Sequence, residues 1–331
     1  MTDHALDVVG IGSAIVDVLT HADEALLEQE GLAKGTMQLV DAERSSALYS
    51  AMGPATEVSG GSVANTIAGL ASLGTPVGFV GKVRDDQLGT IFAHDIRAAG
   101  VEYEVPPATD GPATARCLIF VTPDAQRTMN TYLGIASLLG PEDIDPDFVA
   151  RGRVVICEGY LWDVGPAKEA IVKAMDAAHA AGNRVAFTLS DGFCVDRWRE
   201  EFLALVNDRV DVLFANEAEI TSLYQVDDYE EARELVRGKV EIACMTRSEQ
   251  GSQIVTEHDT YGVVAERVGE VVDTTGAGDL YAAGFLHGLV TGKDLAICGR
   301  MGALAAAEVI SHVGARPEEP LDELFEAHLR S

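Results

Sequence analysis

Basic residues are scarce: 24 Lys and Arg stand against 53 Asp and Glu, a net charge of −29. A chain this acidic has no broad electrostatic grip on nucleic acid or on an anionic membrane. Cysteine is rare as well: the five are far apart, odd in number and free of any C-x-x-C pair. That excludes a disulfide framework and predicts reduced thiols in a cytoplasmic protein. The eight histidines form no H-E-x-x-H, so no zinc site is legible. No apolar run reaches membrane-spanning length, since even the Ala-rich stretch 295–310 carries Arg300 and Glu308. The opening MTDHALDVVG has neither the positive start nor the apolar core of a secretory leader. Internal repeats, low-complexity tracts and flexible linkers are missing too. A chain of 331 residues, 47% apolar, then reads as one domain, 1–331, with a large core. The sequence leaves the choice between monomer and homodimer open.

Glycine, by contrast, is plentiful: the 33 glycines cluster where apolar runs end, as backbone closely approached by a ligand requires. Short β-branched runs recur at 6–12 (LDVVGIG), 77–81 (VGFVG), 154–159 (VVICEG), 184–190 (RVAFTLS), 210–216 (VDVLFAN) and 240–246 (VEIACMT). Runs of this kind mark strands buried on both faces of a parallel sheet. Helical stretches separate them at 86–99, 166–182 and 196–208, and two long ones follow at 279–291 and 294–312. The alternation predicts an α/β fold with a covered, mostly parallel sheet. The rhythm breaks at 34–41 (KGTMQLVD) and at 113–133, where a T-P-D-A turn separates two alternating runs as in a hairpin. Insertions around 13–20, 34–58 and 102–134 are expected to assemble a small β-sheet lid over a site at the strand ends.

Chemistry concentrates in VVDTTGAGDLYAAGFLHGL, 271–289. A strand-like run ending in D-T-T-G-A-G-D passes directly into a helix, so the N–H groups of residues 275–279 converge with the positive helix end behind them. Gly276 and Gly278 keep side chains away from an anion, whereas Asp279 would repel a phosphate unless it has another role. Proton abstraction is such a role, because a hydroxyl attacking a loose phosphoryl group gives up its proton late and a weak base suffices. The competing reading makes Asp279 a helix cap; the two glycines favour the chemical one. In SGGSVANTIAGLASLG, 59–74, Gly60-Gly61-Ser62 opens a helix with Val63, Ile67, Leu70 and Leu73 along one side. Asn65, in its first turn, faces a ligand or is a polar surface residue. Asp17 lies close behind the first strand, where paired sugar hydroxyls would satisfy its carboxylate; a simple turn Asp is the alternative. Asn216 and Glu219 either support Mg²⁺ through water or cap a helix.

Rival nucleotide signatures fail. GLVTGKD (288–294) has the wrong spacing for a P-loop and Asp294 in place of Ser/Thr. VVGIGSAI places Gly10 and Gly12 as a Rossmann oxidoreductase would, but Ile15 stands where the third glycine belongs. That NAD(P)-binding class is kept as a second one, and a catalytically silent ligand sensor as a third.

GGSVAN (60–65), NEAE (216–219) and DTTGAGD (273–279), in this order, resemble the ribokinase-like, or PfkB, carbohydrate and nucleoside kinases over residues 6–318. The resemblance implies a three-layer α/β/α domain with a small β-sheet lid, and ATP-dependent phosphoryl transfer to an acceptor hydroxymethyl with Mg²⁺. It implies that Asp279 is the catalytic base and that Thr275, Gly276, Ala277 and Gly278 form an anion hole. Asp17, Gly61 and Asn65 then bind acceptor hydroxyls, and Asn216 and Glu219 serve Mg²⁺ and phosphate, Glu219 through water. Thr246 and Gly251 of TRSEQGS fall beside the nucleotide, with Ser248 where the family usually has glycine. Asp273 and Thr275, with backbone from 309–314, correspond to a K⁺-type site in some members. TLSDGF (188–193) and FANEAE (214–219) resemble the adenosine kinase branch, and Tyr160 in EGYLW sits where an aromatic flanks the purine. Tyr160 as an ordinary strand-end aromatic is the other reading. Leu280-Tyr281 replaces the more usual residue-plus-Phe. Arg116 and Arg127 are lid residues that could help Mg²⁺ and the helix end reverse the acidic field for ATP, neither expected to be catalytic. The expected reaction is adenosine to AMP, with ribose, fructose or 2-keto-3-deoxygluconate as alternative acceptors.

Overall fold

The computed structural model describes residues 5–124 and 126–329. Ala125 of the expected hairpin turn, and Met1–His4 of the opening segment, lie outside them. Thirteen strands are present among the described residues: β1 (Leu6–Ile11), β2 (Ile15–His21), β3 (Met37–Leu39), β4 (Thr56–Gly60), β5 (Val77–Val80), β6 (Ala115–Val121), β7 (Arg127–Tyr132), β8 (Gly152–Glu158), β9 (Arg184–Thr188), β10 (Val212–Asn216), β11 (Ile242–Thr246), β12 (Ser252–Val255) and β13 (Thr260–Val263). Eight of them form one sheet in the order β13-β12-β11-β10-β9-β8-β1-β5, antiparallel at the β11-β12-β13 edge and parallel elsewhere.

The apolar runs become central strands because successive side chains enter two different cores. On β1, Val8 packs with Val63, Ile67 and Leu70 of the helix Ser62–Ser72 and with Leu280 and Phe285 of the helix Ala277–Val290. Val9 and Ile11 point the other way, to Ala170, Ile171 and Ala174 of Gly165–Ala180 and to Phe202 and Val206 of Gly192–Asp208. Helices on both faces give the three-layer α/β/α architecture that the resemblance implies. A second, five-stranded sheet, β3-β7-β6-β2-β4, stands beside it.

Several boundaries differ from the sequence expectations. Ahead of the helix expected from 196, a first turn opens at Gly192, where the Asp191 side chain accepts from the Cys194 N–H at 2.6 Å and caps it, and a kink at Trp198 (φ −121°) separates that turn from the rest of Gly192–Asp208. The last long helix ends at Val309 rather than 312: Glu308 turns its carboxylate to collect the N–H groups of Glu318 and Glu319, each at 2.9 Å. Of the expected insertion 102–134, only residues from Ala115 onward join the small sheet; Glu102 pairs instead with Gly78 of β5, and Ala108 with Arg84. β12 and β13, SQIV and TYGV, are too short and polar for the run pattern to reveal. The five cysteines are all buried and unpaired, and no helix of the described residues is long and apolar enough to cross a membrane.

Candidate active site

The chain leaves β1 toward β5 on one side and later returns to β8 on the other, which makes the carboxyl ends of β1 and β8 a topological switch point. Glu158 closes that gap from the end of β8. It has no exposed surface, and its two oxygens accept from the N–H groups of Ser13 and Val63, each at 2.9 Å. Burial pushes its carboxyl up, against those same hydrogen bonds. The loop after β1 and the first turn of Ser62–Ser72 are thereby clamped together. Gly61, at φ +105°, precedes that helix, and a Cβ on it would collide with the Ser13 carbonyl oxygen. On β2 of the small sheet, Asp17 lies against Gly60 so closely that a side chain there would strike its carboxylate. Burial raises Asp17 to about 6, opposed by Arg316 and Arg127 and aided by Asp279.

Asp279 sits in the first turn of Ala277–Val290 and faces the first turn of Ser62–Ser72. Ser62 Oγ donates to its Oδ1 at 2.6 Å and Asn65 Nδ2 to its Oδ2 at 3.0 Å, while Thr66 Oγ1 donates to its carbonyl oxygen at 3.1 Å. Burial raises its carboxyl to about 6, against those bonds and Arg316. No side chain caps this helix: its N-cap is Gly276 at φ +79°, and the N–H groups of Gly278 and Asp279 stay available, while that of Ala277 turns back to the Thr274 carbonyl at 3.3 Å. A Cβ at Gly276 would come within 2.8 Å of Ala315 Cβ, whereas one at Gly278 would meet nothing within 4 Å. The space in front of Gly278 is therefore open, and the residues fit an incoming anion.

Asp273 and Thr275 shape the approach to this terminus. Asp273 Oδ1 accepts from Thr275 N at 3.1 Å and Oγ1 at 2.8 Å; Oδ2 accepts from Gly314 N at 3.1 Å and pairs with Arg127 of β7 at 3.0 Å. Where the resemblance placed a monovalent cation, the Asp273 carboxylate carries a guanidinium. Arg116 turns elsewhere, its Nε donating to Ser45 Oγ at 2.7 Å. Tyr160 is half-buried beyond the end of β8, its N–H on Ser190 Oγ at 3.1 Å and its hydroxyl on Ser190 O at 3.3 Å. Burial, then the charges of Asp191, Asp279, Glu219 and Glu158, hold its hydroxyl far above the usual range, which places the ring among the acids of the site. Ser190 itself adopts φ +75°, a strained conformation of the kind found at ligand clamps.

Asn216 and Glu219 meet as a capping box: Asn216 Oδ1 accepts from Glu219 N and Glu219 Oε2 from Asn216 N, each at 2.9 Å, and Asn216 Nδ2 donates to Glu219 Oε1 at 2.6 Å. Burial lifts Glu219 to about 7. Thr246 ends β11 opposite Asn216, and Gly251, at φ +87°, leaves room for the Val263 carbonyl. Ser248 keeps φ +48°, the left-handed geometry that the glycine usual at this position accepts without strain. Tyr281, in place of the usual Phe, finds Ser252 Oγ at 2.8 Å in the core. Among the described residues no three His, Cys, Asp or Glu converge as a metal cage. Isolated carboxylates of this kind fit a largely hydrated Mg²⁺ that arrives on phosphates.

Three participants escaped the sequence reading: Glu158, Arg316 and the Ser62 hydroxyl. Arg316 Nε donates to Asn65 Oδ1 at 3.0 Å, and its Nη2 to Ser59 O at 3.0 Å and Ser59 Oγ at 2.9 Å. A lone arginine in the acidic segment ARPEEP was the available signal for it; an acid ending an apolar run was that for Glu158.

Residues 37–322 match the model of the pfkB family carbohydrate kinases. A 5-dehydro-2-deoxygluconokinase of Geobacillus kaustophilus is 29% identical over 77% of this chain and 80% of its own, and one of Listeria monocytogenes is 30% identical over 76% and 80%. Among solved structures, a probable sugar kinase from Rhizobium etli superposes with TM-score 0.92 at 50% identity, covering 98% of each chain. An adenosine kinase from Sinorhizobium meliloti gives 0.91 at 49%, covering 99% of this chain and all of that one.

Proposed function

The chain belongs to the pfkB family of carbohydrate kinases, and from that premise we propose that it transfers the γ-phosphoryl group of ATP to the hydroxymethyl of a neutral acceptor, adenosine first, forming AMP. One observation carries this reading: a partly buried carboxylate, Asp279, stands in the first turn of an uncapped helix whose neighbour Gly278 opens onto empty space. Asp279 takes the proton of the acceptor hydroxyl as it attacks, held by Ser62 and Asn65 so that both its oxygens keep a fixed direction. The amides of Gly276 and Gly278, joined by those of Thr275 and Ala277 once they leave Asp273 and Thr274, receive the charge that develops on the migrating group. Asp17 accepts from acceptor hydroxyls on the opposite wall, on a strand of the sheet that also carries Arg127. Mg²⁺, when bound, neutralises phosphate charge; Glu219, through water, would hold it.

A neutral acceptor follows from the electrostatics, because the Asp279 charge already raises both Asp17 and Glu158. An anionic sugar would add a further like charge. Tyr160, and Phe193, 74% exposed at the start of the helix Gly192–Asp208, each offer flat apolar surface of the sort a purine stacks on. The adenosine kinase neighbour at 49% identity supports the same choice. The probable sugar kinase at 50% identity and the 5-dehydro-2-deoxygluconokinases at 29–30% favour the second reading, a sugar kinase. A coupled ADP-release assay across adenosine, ribose, fructose, 2-keto-3-deoxygluconate and 5-dehydro-2-deoxygluconate decides between them. Adenosine should give the highest kcat/KM; a sugar ahead of it replaces the acceptor, and no ADP with any acceptor removes the kinase reading.

A further inference from the structure

We propose that Arg316 is a positioning residue for Asp279: through Asn65 it aims an N–H at the carboxylate, and it stands as a half-buried cation on the side of Asn65 away from the base. The proposal deepens the kinase reading and rests on Asp279 as the base.

A carboxamide has one acceptor end and one donor end, and a guanidinium only donates. With Arg316 Nε on Asn65 Oδ1 at 3.0 Å, the amide nitrogen must turn toward Asp279 Oδ2, also at 3.0 Å. The reversed amide would set N–H against guanidinium and oxygen against carboxylate, replacing two attractions by two repulsions. Arg316 therefore selects the Asn65 orientation that holds the base. The guanidinium is itself fixed. Its Nη2 lies on Ser59 O and Oγ, and Ser59 donates from N at 2.8 Å and from Oγ at 2.7 Å to Asp95 Oδ2. A chain of hydrogen bonds thus links Asp95 of the helix Gln87–Ala98, through Ser59 of the edge strand β4, to the reacting carboxylate, its donors pointing outward from Arg316 in both directions.

A half-buried guanidinium whose hydrogen bonds go to an amide and a serine, with no carboxylate paired to it directly, is only partly compensated for the hydration it loses. Its charge is supported at longer range by Asp95, Asp17 and Asp279, and it opposes the burial that pushes both of the last two upward. The other charged or titratable groups that face Asp279 are Asp17 from β2, Glu158 from the end of β8 and Tyr160 just after it. Arg127 from β7 acts on Asp17. The Asp279 charge pushes Asp17, Glu158 and Tyr160 upward, and burial resists that charge, so Arg316 is the cation that works for it.

Arg316→Met, Arg316→Gln and Arg316→Lys test this through two readouts, the ¹³C carboxyl titration of Asp279 and the pH profile of ADP release. Arg316→Met should move the Asp279 midpoint and the acid limb of kcat/KM up by about one unit. It should also lower kcat on the alkaline plateau by about tenfold, as the base loses its fixed direction. Gln, which still donates to Asn65 Oδ1, should restore the plateau but not the limb; Lys should restore the limb more than the plateau. An Arg316→Met protein with an unmoved midpoint and an unchanged profile, or with thermal stability alone reduced, overturns the proposal. Should the Met variant not fold, the Gln and Lys variants decide through the same two readouts. The titration needs no acceptor. A shifted midpoint in an enzyme whose wild type releases no ADP would defeat the kinase reading and keep this one; ADP release with an unmoved midpoint would do the opposite.

Discussion

The helices Glu217–Tyr224 and Ala277–Val290 both start close enough to Tyr160 for their first-turn acids, Glu219 and Asp279, to raise its hydroxyl, yet they treat their open N–H groups in opposite ways. The first closes on itself, Asn216 and Glu219 forming a complete capping box. The second has a left-handed glycine for a cap and no side-chain bond at all. A third, Ser62–Ser72, lacks a local cap but borrows the Glu158 carboxylate, which reaches the Val63 N–H at 2.9 Å. Each helix start attracts negative charge. Two receive it from the chain's own carboxylates, and only the start at Gly276, among these three, leaves it to come from outside.

The largest expected effect breaks the open terminus chemically. Asp279→Asn keeps the hydrogen bond from Ser62 and the size of the side chain but cannot take a proton, so kcat should fall about 10²–10⁴-fold while nucleotide binding persists. In the unaltered enzyme the ionised form is the active one. With Asp17 and Asp279 both raised to about 6, kcat/KM should rise with pH through this region and level off above about 7. Stopped-flow or coupled kinetics between pH 5 and 8.5 check both statements, and an unchanged rate in Asp279→Asn would remove the residue from the mechanism.

Much of this site is legible in the sequence alone, and the reason is local. Gly276, Gly278 and Asp279 lie within four positions of one another, so the strand-to-helix turn that joins them writes itself into consecutive residues; Gly60, Gly61 and Asn65 do the same. The parallel strands are legible because both faces are buried. What stays hidden depends on distance along the chain. Glu158 bridges Ser13 and Val63, 145 and 95 positions away, and Arg316 reaches Asn65 across 251. No periodicity encodes such a meeting. The capping box is half-legible: Asn and Glu three apart fit a cap and a metal-supporting pair equally well, and only the bond pattern displays the cap.

Two glycines of the open terminus sharpen the contrast from within. Gly276→Ala adds a Cβ within 2.8 Å of Ala315 in a left-handed residue, and should cost about 1–3 kcal/mol of stability. Gly278→Ala adds a Cβ into empty space on a helix, so the fold should be as stable or gain up to about 1 kcal/mol. The same methyl occupies room an incoming phosphate needs, and the KM for ATP should rise about tenfold, equivalent to ~1.4 kcal/mol. Thermal unfolding beside initial-rate kinetics separates the pair. A Gly278→Ala enzyme with wild-type KM would show that the phosphate enters elsewhere.

The closed terminus gives the smallest effect. Asn216→Ala removes the cap from Glu217–Tyr224 and one donor from the buried Glu219 carboxylate, and should lower stability by about 1 kcal/mol. Because the box already satisfies those N–H groups, no phosphate is expected to lean on Asn216, and kcat should change by less than about threefold. Melting curves together with Mg²⁺ titrations of the rate distinguish a structural cap from a ligand-facing one. Reduced melting temperature at an unchanged Mg²⁺ requirement keeps the contrast between the two helix starts. An unaltered melting temperature with a raised Mg²⁺ requirement would invert it: the box would then open when nucleotide binds, and its first turn would face the phosphates alongside the one at Gly276.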